Sequence, residues 1–315
     1  MIPHCRLPAA TIRMPCCGMP TTGEVMQRIC TVLGIHRLPA FAANIRQDIV
    51  AIALAAAALV SPQAAGAAGL VTACTRLDLC YCVNGDYHDA INDNVKRVRK
   101  LLADAKAQGK SIGYLSIPLS PAGGGSFVLN SRISAQVAQD VTARFGARSM
   151  FLLNPGTEAG NKMGGASGAD FMYMRTQILE GPTGLGEDFD FFYFAGPTDF
   201  GKYFHLTGQG DLEALDAWFD TNAGSDADLK KSIDQNGAAG TKIAFRNYYG
   251  LRASVAYSYG SHDEWNIARL INTRRRGATD YGIANQLAIF FDGQPQSPGA
   301  YEIPAAPGDA GRCVK

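Results

Sequence analysis

Four apolar runs after residue 110 constrain the fold of this chain more than any other feature of its sequence. They cover residues 112–119, 150–153, 189–194 and 287–291, and each ends in a loop rich in Gly or Pro. Helical patterns separate the runs, and such an alternation is typical of a parallel sheet that is buried on both faces. We therefore predict an α/β fold of the flavodoxin or Rossmann type, with a small, mostly parallel sheet of about four strands, helices on both faces and a helical insertion near residues 200–280.

The first 67 residues are predicted to be a targeting segment that is removed. Residues 49–60 form a continuous apolar stretch with the length of a signal-peptide hydrophobic region, and this stretch is too short to span a bilayer. Pro62 follows it, and the small residues 65–67 suit a cleavage site. We therefore expect a secreted or periplasmic protein that begins near Ala68 and has no stable membrane span.

Three other interpretations of this region stay open at the level of sequence. They are a start of translation at Met26, a buried helix formed by the alanine-rich stretch, and a lipid attachment site at Cys74, which follows small residues. After removal of the targeting segment, residues 68–315 suit a single α/β domain with an irregular C-terminal tail from residue 294.

The cysteines agree with export. Four of them lie in the first 67 residues, and Cys74, Cys80, Cys82 and Cys313 remain in the mature chain. An even number of cysteines in an oxidising compartment indicates disulfides, and we favour a pairing that joins Cys313 to one of the N-terminal cysteines. The alternative is a metal site of Cys80, Cys82 and His88, although Cys-x-Cys is not a standard zinc spacing.

The charge balance and the absent motifs limit the function classes. The net charge is +1, from 29 basic and 28 acidic residues that are interspersed, so the chain has no electrostatic footprint for nucleic acid. The basic residues 274–276 close a helical pattern just before a glycine, where cations complement the helix dipole. No P-loop, dinucleotide fingerprint, nucleophile elbow or metalloprotease helix occurs, so we expect a small-molecule ligand and no cofactor.

The four loops after the strands are expected to form one site, because ligands of parallel sheets bind at the carboxyl ends of the strands. The candidate catalytic residues are the carboxylates and histidines near these loops, since such groups serve as acid, base or nucleophile. They are Glu158, Asp199, His205, His262 and Asp292. The less specific interpretations are a solvated Glu158 and a helix N-cap at Asp199.

The candidate ligand-binding residues begin with the glycine-rich loop after the first strand. This loop leads into a helix, and free amides in such a turn bind phosphate or carboxylate groups; the alternative is a plain flexible connection. A guanidinium and nearby polar side chains would hold an anionic or hydroxyl-rich part of the substrate. The residues are Ser120, Gly123, Gly124, Gly125, Asn154, Tyr203 and Arg246.

The segment Ser261-His262-Asp263-Glu264 suggests a catalytic triad at first sight. Neighbouring residues cannot place three side chains in a relay, because triad members converge from separate elements. Ser261 and Glu264 have the spacing of a capping box, so we predict a structural role for both at the start of a helix. His262 then remains available to the site.

The segment Gly113-Tyr114-Leu115-Ser116-Ile117-Pro118-Leu119 resembles the first strand of nucleoside deoxyribosyltransferase-like proteins. The resemblance implies a small parallel α/β fold, cleavage of N-glycosidic bonds and a nucleoside-like or sugar-like ligand. Gly240-Thr241, before an aromatic helix, is similar to the part of that family that carries its catalytic glutamate. Arg246 stands near the position where the glutamate is expected, so the catalytic glutamate is not transferred to a residue of this chain.

Together these observations predict an exported α/β enzyme that acts on a small polar substrate (nucleoside-, sugar- or phosphate-like) by hydrolysis or group transfer. The alternative is a non-catalytic ligand-binding protein of the cell envelope, whose aromatic side chains stack on a ligand. Carboxylates or histidines with shifted pKa values within hydrogen-bond reach in one site favour the enzyme. An aromatic site without such groups favours the binding protein.

Overall fold

The computed structural model describes residues 69–158, 163–252, 258–278 and 285–297, together with Cys313. The predicted targeting segment, its cleavage site and the alternative start at Met26 lie outside the described residues. Among the helices that are described, none is both long enough and apolar enough to cross a membrane.

Along the described chain, strands and helices alternate between residues 80 and 203, as the apolar pattern predicts, and four more helices stand between residue 203 and the last predicted strand. The strands are β1 Leu70–Cys74, β2 Cys80–Asn84, β3 Ser111–Ser116, β4 Met150–Leu153, β5 Phe191–Phe194, β6 Ala288–Phe291 and β7 Gln294–Gln296. The helices are α1 His88–Ala107, α2 Phe127–Phe145, α3 Gly168–Glu180, α4 Pro197–Tyr203, α5 Asp211–Asn222, α6 Ala227–Asn236, α7 Ala238–Asn247 and α8 Tyr259–Gly277. A π-helical turn, Tyr248–Arg252, follows α7.

The central sheet has the strand order β4-β3-β5-β6-β7. β3, β4, β5 and β6 are parallel, and β7 pairs with β6 in the antiparallel direction. The prediction of a small, mostly parallel sheet is therefore confirmed. From β3 the chain crosses to β4 on one side and then back to β5 on the other, so the direction of winding reverses around β3. Such a reversal produces a crevice at the carboxyl ends of the central strands.

β7 corrects the expectation that the tail is irregular from residue 294. Asp292 and Gly293 have positive φ angles of 50° and 79°, and they connect β6 to β7 as a two-residue hairpin turn. A turn with positive φ at both residues matches the twist of an antiparallel pair, and glycine adopts this conformation at low cost. The chain therefore reverses at this turn and adds an edge strand to the sheet.

Two hydrophobic cores cover the two faces of the sheet. Because side chains alternate along a strand, Ile112 and Tyr114 of β3 face one core and Leu115 faces the other. α1, α3 and α8 pack on the first face, and α2 packs on the second face together with α4–α7. Within the insertion predicted near residues 200–280, α4–α7 pack together on the second face, and we call them the helical cap, whereas α8 packs on the first face.

The hairpin of β1 and β2 carries the disulfides. Cys74 bonds to Cys80 and Cys82 bonds to Cys313, so the prediction that Cys313 pairs with an N-terminal cysteine is confirmed. The alternative metal site is wrong, because Cys80 and Cys82 are each bonded to a different cysteine. Lipid attachment at Cys74 is wrong for the same reason, since its sulfur is part of a disulfide.

Candidate functional site

α8 begins at Tyr259, with Ser258 as its N-cap, and this overturns the capping box predicted for Ser261 and Glu264. The hydroxyl of Ser258 accepts a hydrogen bond from the backbone N–H of Ser261 at 3.3 Å. Glu264 therefore lies in the second turn of the helix instead of the first. Its side chain extends toward the sheet, where it has a different set of partners.

The carboxylate of Glu264 is buried against β3. One of its oxygens accepts a hydrogen bond from the hydroxyl of Tyr114, and the other accepts one from the hydroxyl of Ser116 at 2.5 Å. Both hydroxyls are on the same face of β3, because side chains two positions apart on a strand lie on one side. Glu264 is only 7% exposed, so these two donors take the place of water around the carboxylate.

Arg175 of α3 completes this group, which we call the Glu264 cluster: Tyr114, Ser116, Arg175 and Glu264. Nη1 of Arg175 donates to the hydroxyl of Tyr114 at 3.2 Å, and the guanidinium carbon lies 5.7 Å from the centre of the tyrosine ring. The phenol of Tyr114 therefore accepts a hydrogen bond from a cation and donates one to a carboxylate.

The environment of Glu264 acts on its pKa in two directions. Burial raises the pKa above its ordinary value of 4.5, whereas the charge of Arg175 and the hydrogen bonds from Ser116 and Tyr114 lower it, and the net direction is upward. Burial also raises the pKa of Tyr114 well above 10.0, so the phenol keeps its proton. A desolvated carboxylate beside a cation is the kind of group that enzymes use for proton transfer or nucleophilic attack.

Asp263 adds a second carboxylate next to the Glu264 cluster. Burial raises its pKa above the ordinary value of 3.8, and the neighbouring His262 acts in the opposite direction. Asp263 is also close enough to Tyr81 of β2 to contribute to the raised pKa of that phenol, about 12, for which burial is the largest cause. His262, predicted as a site residue, is the neighbour of Asp263 in α8, and its effect on the pKa of Asp263 is the interaction that connects it to this region.

The other predicted carboxylates have partners elsewhere. Glu158 forms an ion pair with Arg97 of α1 at 2.6 Å, and both side chains are partly exposed. Asp292 accepts a hydrogen bond from the backbone N–H of Thr198 at 3.1 Å. Asp199 accepts hydrogen bonds from the hydroxyl of Tyr193 at 3.1 Å and from a backbone N–H at 3.0 Å.

Asp199 and Asp292 therefore lie together at the start of α4. Burial raises the pKa of Asp199, a backbone hydrogen bond from Gly196 lowers it, and the negative charge of Asp292 raises it further. Gly196 is the N-cap of α4 and Asp199 is the third helical residue, whose carboxylate bonds back to the N-cap. Asp199 therefore takes part in capping α4, but as the third helical residue and not as the N-cap.

The glycine-rich loop packs against the helical cap. The backbone N–H groups of Phe127 and Val128, at the start of α2, donate to the carboxylate of Asp228 in α6 at 2.8 and 3.4 Å. Gly124 has a φ of 111°, and a Cβ there would lie 2.4 Å from the carbonyl oxygen of Ala244 in α7. In this structure the anion at the N-terminus of α2 is therefore a side chain of the protein itself.

Other positions of the glycine-rich loop also pack closely against neighbouring elements. Gly123 also has a positive φ, of 84°. A Cβ on Gly125 would lie 2.8 Å from the ring of Tyr248. The carbonyl oxygen of Ser120 accepts a hydrogen bond from the side chain of Asn130 at 3.3 Å. These contacts connect the loop to α2 and to the helical cap.

The remaining predicted residues are dispersed. Arg246 of α7 pairs with Asp216 of α5 at 3.4 Å, on the second face of the sheet. His205 is exposed and has a φ of 57°. Tyr203 packs on its neighbour in sequence, with ring centres 5.1 Å apart. Asn154 is buried at the end of β4, and its side-chain oxygen accepts a backbone N–H at 2.8 Å.

The structure thus brings four polar side chains together in the Glu264 cluster, and none of them is a site residue predicted from the sequence. A usable signal existed in α8, where Glu264 occupies a core position of the same apolar stripe as Trp265, Ala268 and Ile271. A carboxylate at a core position requires polar partners. Tyr114 and Ser116 are such partners, because they are the two polar side chains of the apolar run at residues 112–119.

Comparisons with protein-family models, curated proteins and solved structures found no match to this chain.

Proposed function

We propose that this protein is an enzyme that cleaves or transfers a glycosidic-type bond of a small polar substrate, with Glu264 as its central carboxylate. The observation that carries the proposal is the buried carboxylate of Glu264, held by the hydroxyls of Tyr114 and Ser116 at the carboxyl end of a central parallel strand. A buried carboxylate with a raised pKa at this edge of a sheet is a functional-site candidate on physical grounds.

The strand order supports this location. β3 stands between β4 and β5, as the first strand does in flavodoxin-like sheets, whose ligands bind beside that strand. β3 is also the strand whose sequence resembles the nucleoside deoxyribosyltransferase-like proteins, and Tyr114 and Ser116 belong to that segment. By contrast, Gly240 and Thr241 lie on the second face of the sheet, in α7, while Glu264 lies on the first.

The two neighbouring carboxylates suit different roles. The hydrogen bonds at both oxygens of Glu264 and the charge of Arg175 lower its pKa against the larger effect of burial, and we assign this carboxylate the nucleophilic or basic role. Asp263 is partly exposed, its pKa is raised, and the protonated form can donate to a leaving group. We propose that Glu264 attacks the sugar carbon while the bond to the leaving group breaks and Asp263 supplies its proton. Water then returns a proton to Asp263 and displaces Glu264 from the carbon.

The test is turnover by the Glu264→Gln variant on a panel of nucleosides, aryl glycosides and sugar phosphates. Wild-type protein should turn over at least one member, and the variant should lose about a hundredfold or more of that rate, as expected for removal of a catalytic carboxylate. Glu213→Gln, on an exposed position of α5, is the matched control and should keep the wild-type rate. Ligand binding with no turnover by wild-type protein would instead support the non-catalytic binding protein.

We also infer that the protein is exported and begins near Ala68. The support is the apolar stretch at residues 49–60 together with two disulfides, which persist in oxidising compartments. Intact-mass measurement of the exported protein should give a chain without residues 1–67 and with no free thiol. A mass that includes those residues, or free thiols at Cys74, Cys80, Cys82 or Cys313, would contradict the inference.

A further inference from the structure

Arg175 is the cation of the Glu264 cluster, and most of its hydrogen-bonding capacity is unused within the described residues. Its Nη1 donates to Tyr114, and none of the ion pairs formed among those residues includes it. Its side chain is partly exposed. Arg97 and Arg246, which are partly exposed as well, each contact a carboxylate of the protein.

The position of Arg175 relative to Glu264 is fixed by a shared partner. The hydroxyl of Tyr114 receives the hydrogen bond from Arg175 and donates to the carboxylate of Glu264. The hydroxyl of Tyr114 therefore bridges the guanidinium and the carboxylate, which do not form a direct ion pair. Its other N–H groups are left for a molecule that approaches the cluster.

We propose that Arg175 binds an oxyanion of the substrate, a phosphate or carboxylate group, and so orients the substrate against Glu264. This proposal rests on the proposed function and deepens it by naming a substrate class, an anionic sugar derivative. A guanidinium presents parallel N–H groups that match a phosphate or carboxylate in a bidentate arrangement. An anion next to Asp263 and Glu264 also needs a cation to offset their charge.

The proposal moves the anion-binding role away from the residues first predicted for it. The amides at the start of α2 bind Asp228, and Arg246 binds Asp216, so both groups already have a carboxylate of the protein as partner. Arg246 is therefore a matched control for Arg175, because it is an equally charged and similarly exposed side chain on the opposite face of the sheet.

The chain contains a reporter for the experiment. Trp265 follows Glu264 and packs on Phe194 with ring centres 4.5 Å apart. The only other tryptophan of the sequence is Trp218 in the helical cap, which stacks on Phe245. In a Trp218→Phe background, the fluorescence of Trp265 should report on ligands at the cluster, and a rise in melting temperature measures the same binding independently.

The probes are ribose 5-phosphate, glucuronate and the neutral sugars ribose and glucose. We expect ribose 5-phosphate or glucuronate to bind more tightly than its neutral counterpart, and the stronger of the two identifies the oxyanion. Arg175→Gln should weaken binding of that probe by about tenfold to a hundredfold, the range for a lost charged hydrogen bond. The affinity of Arg175→Lys for that probe should lie between those of wild type and Arg175→Gln. Arg246→Gln should bind the probe like wild type.

The outcomes separate this proposal from the proposed function. Glu264→Gln should still bind the anionic probe, because that variant keeps Arg175. Equal affinity for charged and neutral sugars, no response to either anionic probe, or unchanged binding by Arg175→Gln would each overturn the role of Arg175. Turnover of neutral substrates that depends on Glu264 but not on Arg175 would leave the proposed function standing and reject this one. Urea unfolding of each variant confirms that it is folded.

Discussion

Arg275 is the residue whose role differs most from its prediction as one of three basic residues at a helix end. It is buried and donates hydrogen bonds to the backbone carbonyl oxygens of Leu185, Gly186, Phe189 and Asn285, at 2.7 to 3.1 Å. These carbonyls belong to the segments that lead into β5 and β6. A planar guanidinium can serve several acceptors at once, which an ammonium group cannot do in the same geometry.

We predict that Arg275→Lys lowers the free energy of unfolding by about 2–4 kcal/mol, because carbonyl groups are left buried without a donor. Arg276→Lys is the matched control: Arg276 is exposed, and its substitution should change the free energy of unfolding by less than about 0.5 kcal/mol. Urea titrations of both variants measure the difference. Equal effects would mean that the four contacts of Arg275 contribute nothing specific.

The raised pKa of Glu264 leads to a prediction about stability and pH. A carboxyl whose pKa is higher in the folded state than its ordinary 4.5 holds a proton that the unfolded chain has released. Its contribution to stability is therefore fully present below pH 4.5 and is lost as the pH rises through the folded-state pKa. The ionised, buried carboxylate of Glu264 therefore lowers the free energy of unfolding most at neutral pH and above.

We expect Glu264→Gln to reduce the fall in unfolding free energy with rising pH above 4.5, by up to about 1.4 kcal/mol per pH unit for one proton. Urea unfolding of the variant and of wild type at a series of pH values gives the two slopes. Only the slopes are compared, because the amide also changes the hydrogen bonds of residue 264 and so shifts the free energy of unfolding by a constant amount at every pH. Parallel curves over the whole range would contradict the raised pKa.

At the scale of elements, the glycine-rich loop determines how closely the helical cap approaches α2. We predict that Gly124→Ala lowers the free energy of unfolding by about 2–4 kcal/mol, because the new Cβ meets a backbone carbonyl and the residue has a positive φ. Gly224→Ala, between α5 and α6, is the control: no atom lies within 4 Å of its Cβ position, so stability should be unchanged or slightly raised. Thermal unfolding compares the two, and similar losses would contradict the packing role.

Most strands and helices could be predicted, because β3 and β5 lie in continuous apolar runs and α8 has an apolar stripe with helical spacing. β7 is not among them, because it depends on the hairpin turn that follows β6. The Glu264 cluster could not be predicted either, because Tyr114 and Glu264 are separated by 150 positions and meet only through tertiary packing. The position at which α8 starts determines the role of Glu264. With Ser261 as N-cap, Glu264 belongs to the first turn and caps the helix, whereas with Ser258 as N-cap it points to β3. A shift of a helix boundary by one turn thus changes a structural residue into a candidate catalytic one.

At the scale of the whole molecule, the two faces of the sheet hold polar groups of different kinds. On the second face, Asn130 of α2 bonds to the hydroxyls of Tyr248 and Tyr249 at 3.1 and 2.8 Å, and Ser126 bonds to Asp226 at 2.8 Å. These buried groups satisfy one another across α2 and the helical cap, which favours one arrangement of the two. On the first face, Arg175 has N–H groups without a hydrogen-bond partner among the described residues, as the proposed ligand site requires.

The two disulfides should contribute unequally to the stability of the whole chain. Cys82–Cys313 joins residues 231 positions apart, whereas Cys74–Cys80 joins residues 6 positions apart within one hairpin. A bond that closes a longer loop removes more conformational entropy from the unfolded chain, and the loop-closure relation gives about 5 kcal/mol for the first and about 2 kcal/mol for the second. We therefore expect the Cys82→Ser/Cys313→Ser double variant to lose about 3 kcal/mol more free energy of unfolding than Cys74→Ser/Cys80→Ser. Urea unfolding under non-reducing conditions measures both. A larger loss from the hairpin pair would show that the bond acts through the local fold of β1 and β2 and not through the unfolded chain.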